Sequence, residues 1–125
     1  MWRACRLWPD AVALVVARII YFTRRLDVMT AFYRDGLGLD LIGEEDGWRE
    51  FRAGACIIAL HKGPAAKPGR SPKLAFYVAD VAAEKLALEA RGVVMGKIWT
   101  SPQVTFCDGH DPDGNAFSIS DRELA

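Results

Sequence analysis

The feature that most limits the fold of this chain is a repeated order of predicted elements. Residues 14–62 predict a strand, a helix and three further strands, and residues 73–121 predict the same order again. The first strands of the two halves begin about 55 residues apart, and self-similarity of this kind constrains the whole architecture. One βαβββ unit cannot bury its own sheet, so we expect the two units to pack together or against a second copy.

In the first half, Leu14–Thr23 is rich in β-branched and aromatic residues and predicts a buried strand. Leu26–Asp35 carries apolar residues at helical spacing, and Gly36 is expected to end that helix in a left-handed conformation. Asp46 and Gly47 lie between two runs that contain apolar residues, which is a strong hairpin signal. The sequence ACIIALHK then predicts a further strand.

The two halves are joined by residues 63–72, which hold three prolines and two glycines and show no apolar period. This composition predicts a linker or mobile loop, whose cations Lys67 and Arg70 are expected to be solvated. In the second half, KLAFYVAD predicts a strand, Val81–Arg91 a helix that ends at Gly92, and VVMGKI, QVTFCD and NAFSIS three strands.

Charge and cysteine usage narrow the class of protein. The chain has 16 basic and 16 acidic side chains, so it offers no electrostatic footprint for nucleic acid and no polybasic segment for a membrane. The uncharged run Ala11–Ala17 is seven residues, too short to cross a bilayer, and residues 1–12 are interpreted as an N-terminal extension. Cys5, Cys56 and Cys107 form no C-x-x-C motif, which favours reduced thiols and a cytoplasmic protein.

Three motifs carry a family resemblance. FYRDGLGL follows the pattern F-Y-x-D-x-L-G-L at a helix-to-strand junction, and the second half begins with KLAFYVADVAAEKLALEARGV and ends in HDPDGNAFSIS. Over residues 14–121 the chain resembles the vicinal oxygen chelate superfamily, the glyoxalase/bleomycin resistance/extradiol dioxygenase fold. The resemblance implies a single α+β domain in which two βαβββ modules, residues 14–62 and 73–121, form a concave mixed β-sheet cup with the helices outside.

The resemblance also implies where a metal would bind. Metal-using members of the superfamily take His, Glu or Gln ligands from the first and last strands of each module. Motif spacing places those four positions on Arg18, Ala59, Lys73 and Ser118, and a slip of two residues would add only His61 as a ligand. Arginine stays protonated and lysine must lose a proton to ligate, so we expect no metal, no other cofactor, and neither glyoxalase I nor extradiol dioxygenase activity.

Strand alternation predicts what the cup would contain instead. It places Arg18 with Phe22 and Lys73 with Tyr77, so the cup is expected to be mostly apolar with up to two cations. Our hypothesis is that Arg18 and Lys73 anchor a small organic acid or aromatic anion. His61 and Tyr77 are the candidate acid–base residues. The predicted ligand-binding set is Arg18, Phe22, His61, Lys73, Tyr77, Trp99 and Ser118.

Structural interpretations of the same residues stay open. Arg18 could form an ion pair with Glu50 or Asp108, and Lys73 could simply begin its strand with its ammonium group in water. His61 could be a half-exposed strand-end residue. Trp99, in a predicted loop, could stack on a ligand or fill a dimer interface.

Three classes of function remain at this stage. The first is a protein that binds or sequesters a small molecule without chemistry, as in the bleomycin-resistance branch that this chain resembles. The second is a metal-independent isomerase or lyase, or an atypical metal-dependent or dioxygenase-like enzyme, acting on a small organic acid. The third is a chain whose modules serve only assembly. In each case, two half-modules in 125 residues favour a homodimer.

The acidic cluster CDGHDPDGN invites a metal-site interpretation, but its spacing does not fit. An EF-hand loop aligned on Asp111, Asp113 and Gly114 would place Gly109 at its first ligand position and a serine at its last. The order Asp-Pro-Asp-Gly instead predicts a type I turn whose side chains bond nearby backbone N–H groups. His110, at the start of this turn, remains a minor functional candidate.

Overall fold

The computed structural model describes residues 14–67 and 69–123, and it confirms an α+β fold of two βαβββ modules. The predicted N-terminal extension, residues 1–12, and Cys5 lie outside the described residues. The first module consists of β1 (Arg18–Thr23), α1 (Leu26–Ala31), β2 (Asp40–Glu45), β3 (Trp48–Ala53) and β4 (Cys56–Lys62). The second consists of β5 (Leu74–Tyr77), α2 (Val81–Ala90), β6 (Met95–Thr100), β7 (Thr105–His110) and β8 (Ala116–Ser120).

Each module folds into one mixed four-stranded sheet, and the two sheets have the same strand order. The first sheet runs β1-β4-β3-β2 and the second runs β5-β8-β7-β6. In each sheet the module's first strand is parallel to its last strand, and the remaining pairs are antiparallel. The repeat predicted from the sequence is therefore present in both topology and strand direction.

One face of each sheet is buried against a helix, and the two buried faces share a core. Alternation in β1 turns Tyr21 and Thr23 inward, as the period of two requires. The FYRDGLGL segment joins the modules, because the ring of Phe32 lies edge-on to that of Phe117, 6.1 Å between centroids. Tyr33 beside it is 2% exposed and belongs to the core, against which Phe32 is partly buried.

The first strand is shorter than predicted. It begins at Arg18 rather than Leu14, because its only neighbour in the first sheet, β4, begins at Cys56. The Ile57 N–H donates to the Ala17 carbonyl at 3.0 Å, and no earlier residue among 14–16 has a strand partner. Apolar character alone indicates strand propensity, whereas the partner's length sets where the ladder starts.

The predicted end of the first helix was wrong in its detail. After Ala31 the chain makes one π-helical turn, Phe32–Gly36, in which the Leu37 N–H donates to the Phe32 carbonyl at 2.8 Å. The left-handed residue is Gly38, with φ of 75°, rather than Gly36. Gly36 is buried instead, and its missing side chain leaves room for Val93.

Other local predictions have mixed outcomes. Gly47 has a φ of 72° and forms the predicted hairpin turn, and Gly92 (φ 89°) ends α2 as expected. The strand β6 extends to Thr100, so Trp99 lies in a strand opposite Phe106 rather than in a loop, and that prediction was wrong. No helix in the described part of the chain is both long and apolar enough to span a membrane.

Candidate functional site

The helix-free face of each sheet, called here the open face, presents the residues predicted to line a cup. On the first sheet, Arg18, Ile20 and Phe22 alternate with the inward-facing residues of β1. Strand register places Ile20 opposite Ala59, and Ala59 opposite Glu50. The same register on the second sheet places Ala75 opposite Ser118 and Ser118 opposite Asp108.

An ion pair crosses the open face of the first sheet. The Arg18 Nε lies 2.6 Å from the Glu50 Oε2, although β4 separates the two strands that carry them. The guanidinium therefore passes over β4 beside Ala59, which is fully buried despite its place on the open face. Hydrogen bonding by Arg18 is the main cause that holds the pKa of Glu50 below its ordinary value, and the Trp48 indole N–H, 3.1 Å from the same oxygen, assists.

An equivalent ion pair crosses the second sheet. The Lys73 Nζ lies 2.7 Å from the Asp108 Oδ1. Lys73 directly precedes the edge strand β5, Asp108 belongs to β7, and β8 lies between these two strands. Ser118, which is 5% exposed, lies opposite Asp108 on that intervening strand. Lys73 occupies in the second module the place that Arg18 occupies in the first. Of the two partners that the sequence leaves open for Arg18, Glu50 and Asp108, the structure assigns Glu50.

The four positions where the superfamily resemblance places metal ligands do not fit a divalent ion. They carry a guanidinium, a methyl group, an ammonium and a hydroxyl, namely Arg18, Ala59, Lys73 and Ser118. Both cations already form ion pairs with carboxylates of their own module. Elsewhere in residues 14–67 and 69–123, no three His, Cys, Asp or Glu side chains come together in a geometry that could hold a metal. A hard or borderline cation requires several converging nitrogen, oxygen or thiolate donors, which this set lacks.

A row of three rings lies at one end of the first open face. His61 lies between Phe22, 5.0 Å between ring centroids, and Trp48, 5.4 Å and edge-on. The three residues are opposite one another on neighbouring strands, so the row follows from strand register. The His61 Nδ1 lies 2.9 Å from the Lys62 carbonyl, which can only accept, so Nδ1 is the donor of this bond. We call Phe22, His61 and Trp48 the aromatic row.

A cavity of about 290 Å³ adjoins the aromatic row. It is bounded by Ile20 and Phe22 of β1 and by the linker, which runs alongside them. Backbone contacts hold the linker there: the Gly63 N–H donates to the Thr23 carbonyl, and the Tyr21 hydroxyl donates to the Pro72 carbonyl, each at 2.9 Å. Burial, then the charge of Asp111, raises the pKa of Tyr21 to about 12, so this donor stays protonated at neutral pH.

The remaining predicted residues lie on the second sheet. Tyr77 is 47% exposed on the open face, in register with Ser120. Trp99 is 50% exposed, and the Lys97 Nζ lies 3.9 Å from the centroid of its ring. The structure therefore groups Phe22 with His61, and Lys73 with Ser118. It adds Trp48, whose pairing with His61 could have been found from the hairpin register.

The aspartate-rich turn is structural. Asp111 is 5% exposed and accepts hydrogen bonds from the Asp113 and Asn115 backbone N–H groups, each at 2.9 Å, as the predicted turn requires. It also accepts from the Asn115 amide and from the Tyr33 hydroxyl, both at 2.7 Å. His110, exposed at the end of β7, has no part in this network within the described chain.

A larger cavity of about 490 Å³ lies away from the open faces, between the start of α1 and the turn that joins β2 to β3. Its lining is charged with mixed sign, and two of its cations already have acidic partners: Arg25 bonds Asp113 and Arg49 lies 3.3 Å from Glu44. Ligand sites are mostly apolar with a few convergent polar groups. The open face with the aromatic row meets that description better, so we assign the candidate site there.

Two βαβββ modules, each with a helix-free sheet face, define a class of α+β folds, and the sequence agrees. Residues 15–119 match the family model of the Glyoxalase/Bleomycin resistance protein/Dioxygenase superfamily, and the chain belongs to this family. No curated protein sequence is similar enough to this chain to count as a match.

Solved structures share the fold at low sequence identity. A lactoylglutathione lyase from Agrobacterium tumefaciens is 21% identical, with 89% of this chain and 95% of that chain covered and a TM-score of 0.69. TnmS3, an antibiotic binding protein from Streptomyces sp. CB03234, is 22% identical, with coverages of 86% and 96% and a TM-score of 0.74. FosX, a fosfomycin resistance protein from Listeria monocytogenes solved with manganese(II), is 17% identical, with coverages of 90% and 93% and a TM-score of 0.73. Identities this low establish the fold alone.

Proposed function

We propose that this protein binds a small organic molecule with a flat aromatic part on its open face, without a metal ion and without converting it. The observation that carries the proposal is the aromatic row beside a cavity. Phe22 is 48% exposed and its ring lies beside that of His61, whose other ring neighbour is Trp48. An exposed aromatic cluster at a concavity is a surface that a planar ligand can cover.

Size and polarity of the site support a small ligand. The cavity of about 290 Å³ is at the lower end of the usual range for ligand pockets, roughly 300 to 1,000 Å³. A planar ligand that stacks on the aromatic row buries apolar area. Each aromatic pair contributes about 0.5–1.5 kcal/mol of binding free energy in addition to the effect of that burial. We expect a molecule of one or two fused rings.

The ion pairs on the open faces of the two sheets favour binding without chemistry over catalysis. Arg18 and Lys73 are committed to Glu50 and Asp108, so neither is a free electrophilic group for a developing negative charge. One solved relative of similar fold, TnmS3, is described as an antibiotic binding protein. A binding function for this chain agrees with that description, whereas a metal-assisted reaction would need donors that its four ligand positions lack.

The test is calorimetric titration with a neutral aromatic probe, 2-naphthamide, on the parent protein and on Phe22→Ala. We expect saturable binding to the parent and an affinity at least about tenfold weaker for Phe22→Ala. Leu86→Ala is the matched control, because Leu86 is 69% exposed on α2, away from the open face. Equal affinity in all three proteins would overturn the proposal, as would the absence of binding to the parent.

A second measurement separates binding from catalysis. After prolonged incubation with the protein, bound aromatic compounds are released and weighed by mass spectrometry, and we expect them back unchanged. Product formation that is lost in His61→Gln or Tyr77→Phe would instead support the metal-independent enzyme that the sequence leaves open.

A further inference from the structure

We propose that Arg70 is the ionic anchor of this site and that the ligand class is an aromatic monoanion, such as an aromatic carboxylate. The inference rests on the proposed function, since it specifies the charge of the molecule held at the aromatic row. From the sequence alone, Arg70 is expected only to be a solvated cation of the linker. The structure places it in the wall of the cavity that adjoins Phe22.

The composition of the cavity wall points to a single charge. In the part of the chain that the structure describes, the wall is mostly apolar and Arg70 is its one charged side chain. The other polar groups already have partners, because the Tyr21 hydroxyl bonds the Pro72 carbonyl and the Ser71 hydroxyl bonds the Asn115 side chain. The polar group left for a ligand is therefore a guanidinium. A wall of this kind is complementary to an apolar body that carries one negative group.

Arg18 and Lys73, the cations on the open faces, are poorer candidates for the ionic anchor. Arg18 and Lys73 lie 2.6 and 2.7 Å from carboxylate oxygens, and an incoming anion would have to compete with those partners. For Arg70, no carboxylate lies within 4.0 Å anywhere in the part of the chain that the structure describes. Its guanidinium is permanently charged and has the planar fork that matches a carboxylate.

The backbone around Arg70 is held in place, which a ligand anchor requires. The Arg70 N–H donates to the Lys67 carbonyl at 2.9 Å and closes a turn. Two residues later, the Pro72 carbonyl accepts from the buried Tyr21, which fixes the end of the linker to β1. The segment that carries Arg70 is thus tied to the strand that carries Phe22.

The experiment compares two probes that differ in charge and hardly in shape, 2-naphthoate and 2-naphthamide. Calorimetric affinities are measured for the parent and for four variants: Arg70→Gln, Lys67→Gln, Phe22→Ala and Arg18→Gln. Lys67 is the matched control, since it is a linker cation outside the cavity wall. We expect Arg70→Gln to weaken 2-naphthoate binding about tenfold, to leave 2-naphthamide unchanged, and Lys67→Gln to change neither.

The outcomes separate this inference from the proposed function. Phe22→Ala weakens both probes if the aromatic row is the site, whatever the role of Arg70. Equal affinity of the parent for both probes, or equal effects of Arg70→Gln and Lys67→Gln on 2-naphthoate, would overturn the role of Arg70 alone. Loss of 2-naphthoate binding in Arg18→Gln, with Arg70→Gln unaffected, would also overturn it and return the anchor to Arg18.

Discussion

The Nε of Arg18 lies 2.6 Å from the Oε2 of Glu50, across a strand on which Arg18 is in register with Ile57 and Glu50 with the fully buried Ala59. The second module repeats this arrangement with Lys73 and Asp108. In both modules a cation at the first-strand position reaches over the last strand to a carboxylate on the strand beyond. Each sheet thus has an internal ion pair where metal-using members of the superfamily would be expected to place ligands.

The Arg18–Glu50 pair makes stability depend on pH. Because the folded-state pKa of Glu50 is lower than its ordinary value of 4.5, the pair stabilises the protein at neutral pH, and this contribution is lost as the pH falls through the folded pKa. We expect Glu50→Gln to lower the melting temperature at pH 7, and the difference from the parent to shrink as the pH falls below about 4.5. Thermal melts from pH 7 to pH 3 measure this.

Glu45→Gln serves as the control for that series, since Glu45 is an exposed acid on the neighbouring strand. Its melting temperature should follow the parent at every pH. A Glu50→Gln difference that stays constant down to pH 3 would show that Arg18 does not depress the pKa of Glu50.

Removal of metal ions should leave the protein unchanged. The ligand positions Arg18, Ala59, Lys73 and Ser118 lack a donor set for a divalent ion, so we expect stability not to depend on a bound metal. We expect dialysis against a chelator to change neither the melting temperature nor the affinity for 2-naphthoate, and metal analysis to find less than one equivalent. A melting temperature that falls with chelator and recovers with manganese or zinc would contradict this.

The hydroxyl of Tyr33 should contribute measurably to stability. It donates to the buried Asp111 at 2.7 Å, and burial, followed by the charge of Asp111, raises the pKa of Tyr33. We expect Tyr33→Phe to lower the free energy of unfolding by about 1.5–3 kcal/mol, the usual net value for a hydrogen bond to a charged group. Urea unfolding measures this, with the exposed Tyr77→Phe expected to stay within about 0.5 kcal/mol of the parent. Equal values for the two variants would show that the bond contributes nothing.

The fold could be predicted from the sequence because it repeats, and because its turns use residues with narrow preferences. Asp46 and Gly47 form the predicted hairpin turn, and Asp111 forms the predicted network with Asn115. The extent of β1 could not be predicted in the same way. Strand ends depend on the partner, and Leu14 lies beyond the start of β4.

The sequence predicts which residues of the candidate site share a sheet face, but it does not predict which of them contact one another. Strand alternation correctly groups Arg18 with Phe22, since it needs only the period of two. Whether Arg18 meets Glu50 or Asp108 depends on the order of strands in the sheet, which the chain order does not reveal. Arg70 was missed for a related reason, because a linker shows no period from which its path over β1 could be inferred.

From the edge strands β1 and β5 we predict that the protein is a homodimer. Among residues 14–67 and 69–123, the strands β1 and β5 each pair with one neighbour, which leaves backbone hydrogen-bonding groups along the other edge of each strand. The residues that lead into β1 are apolar and exposed: Leu14 by 89%, Val15 by 70% and Val16 by 72%. We expect light scattering after size exclusion to give twice the chain's mass, and Val16→Lys to shift the population toward monomer by placing a charge in this patch. Leu86→Lys, a change of similar exposure on α2, should remain dimeric. A parent protein that elutes with the mass of one chain at micromolar concentration would contradict the prediction, and the open face of a single chain would then be the whole binding site.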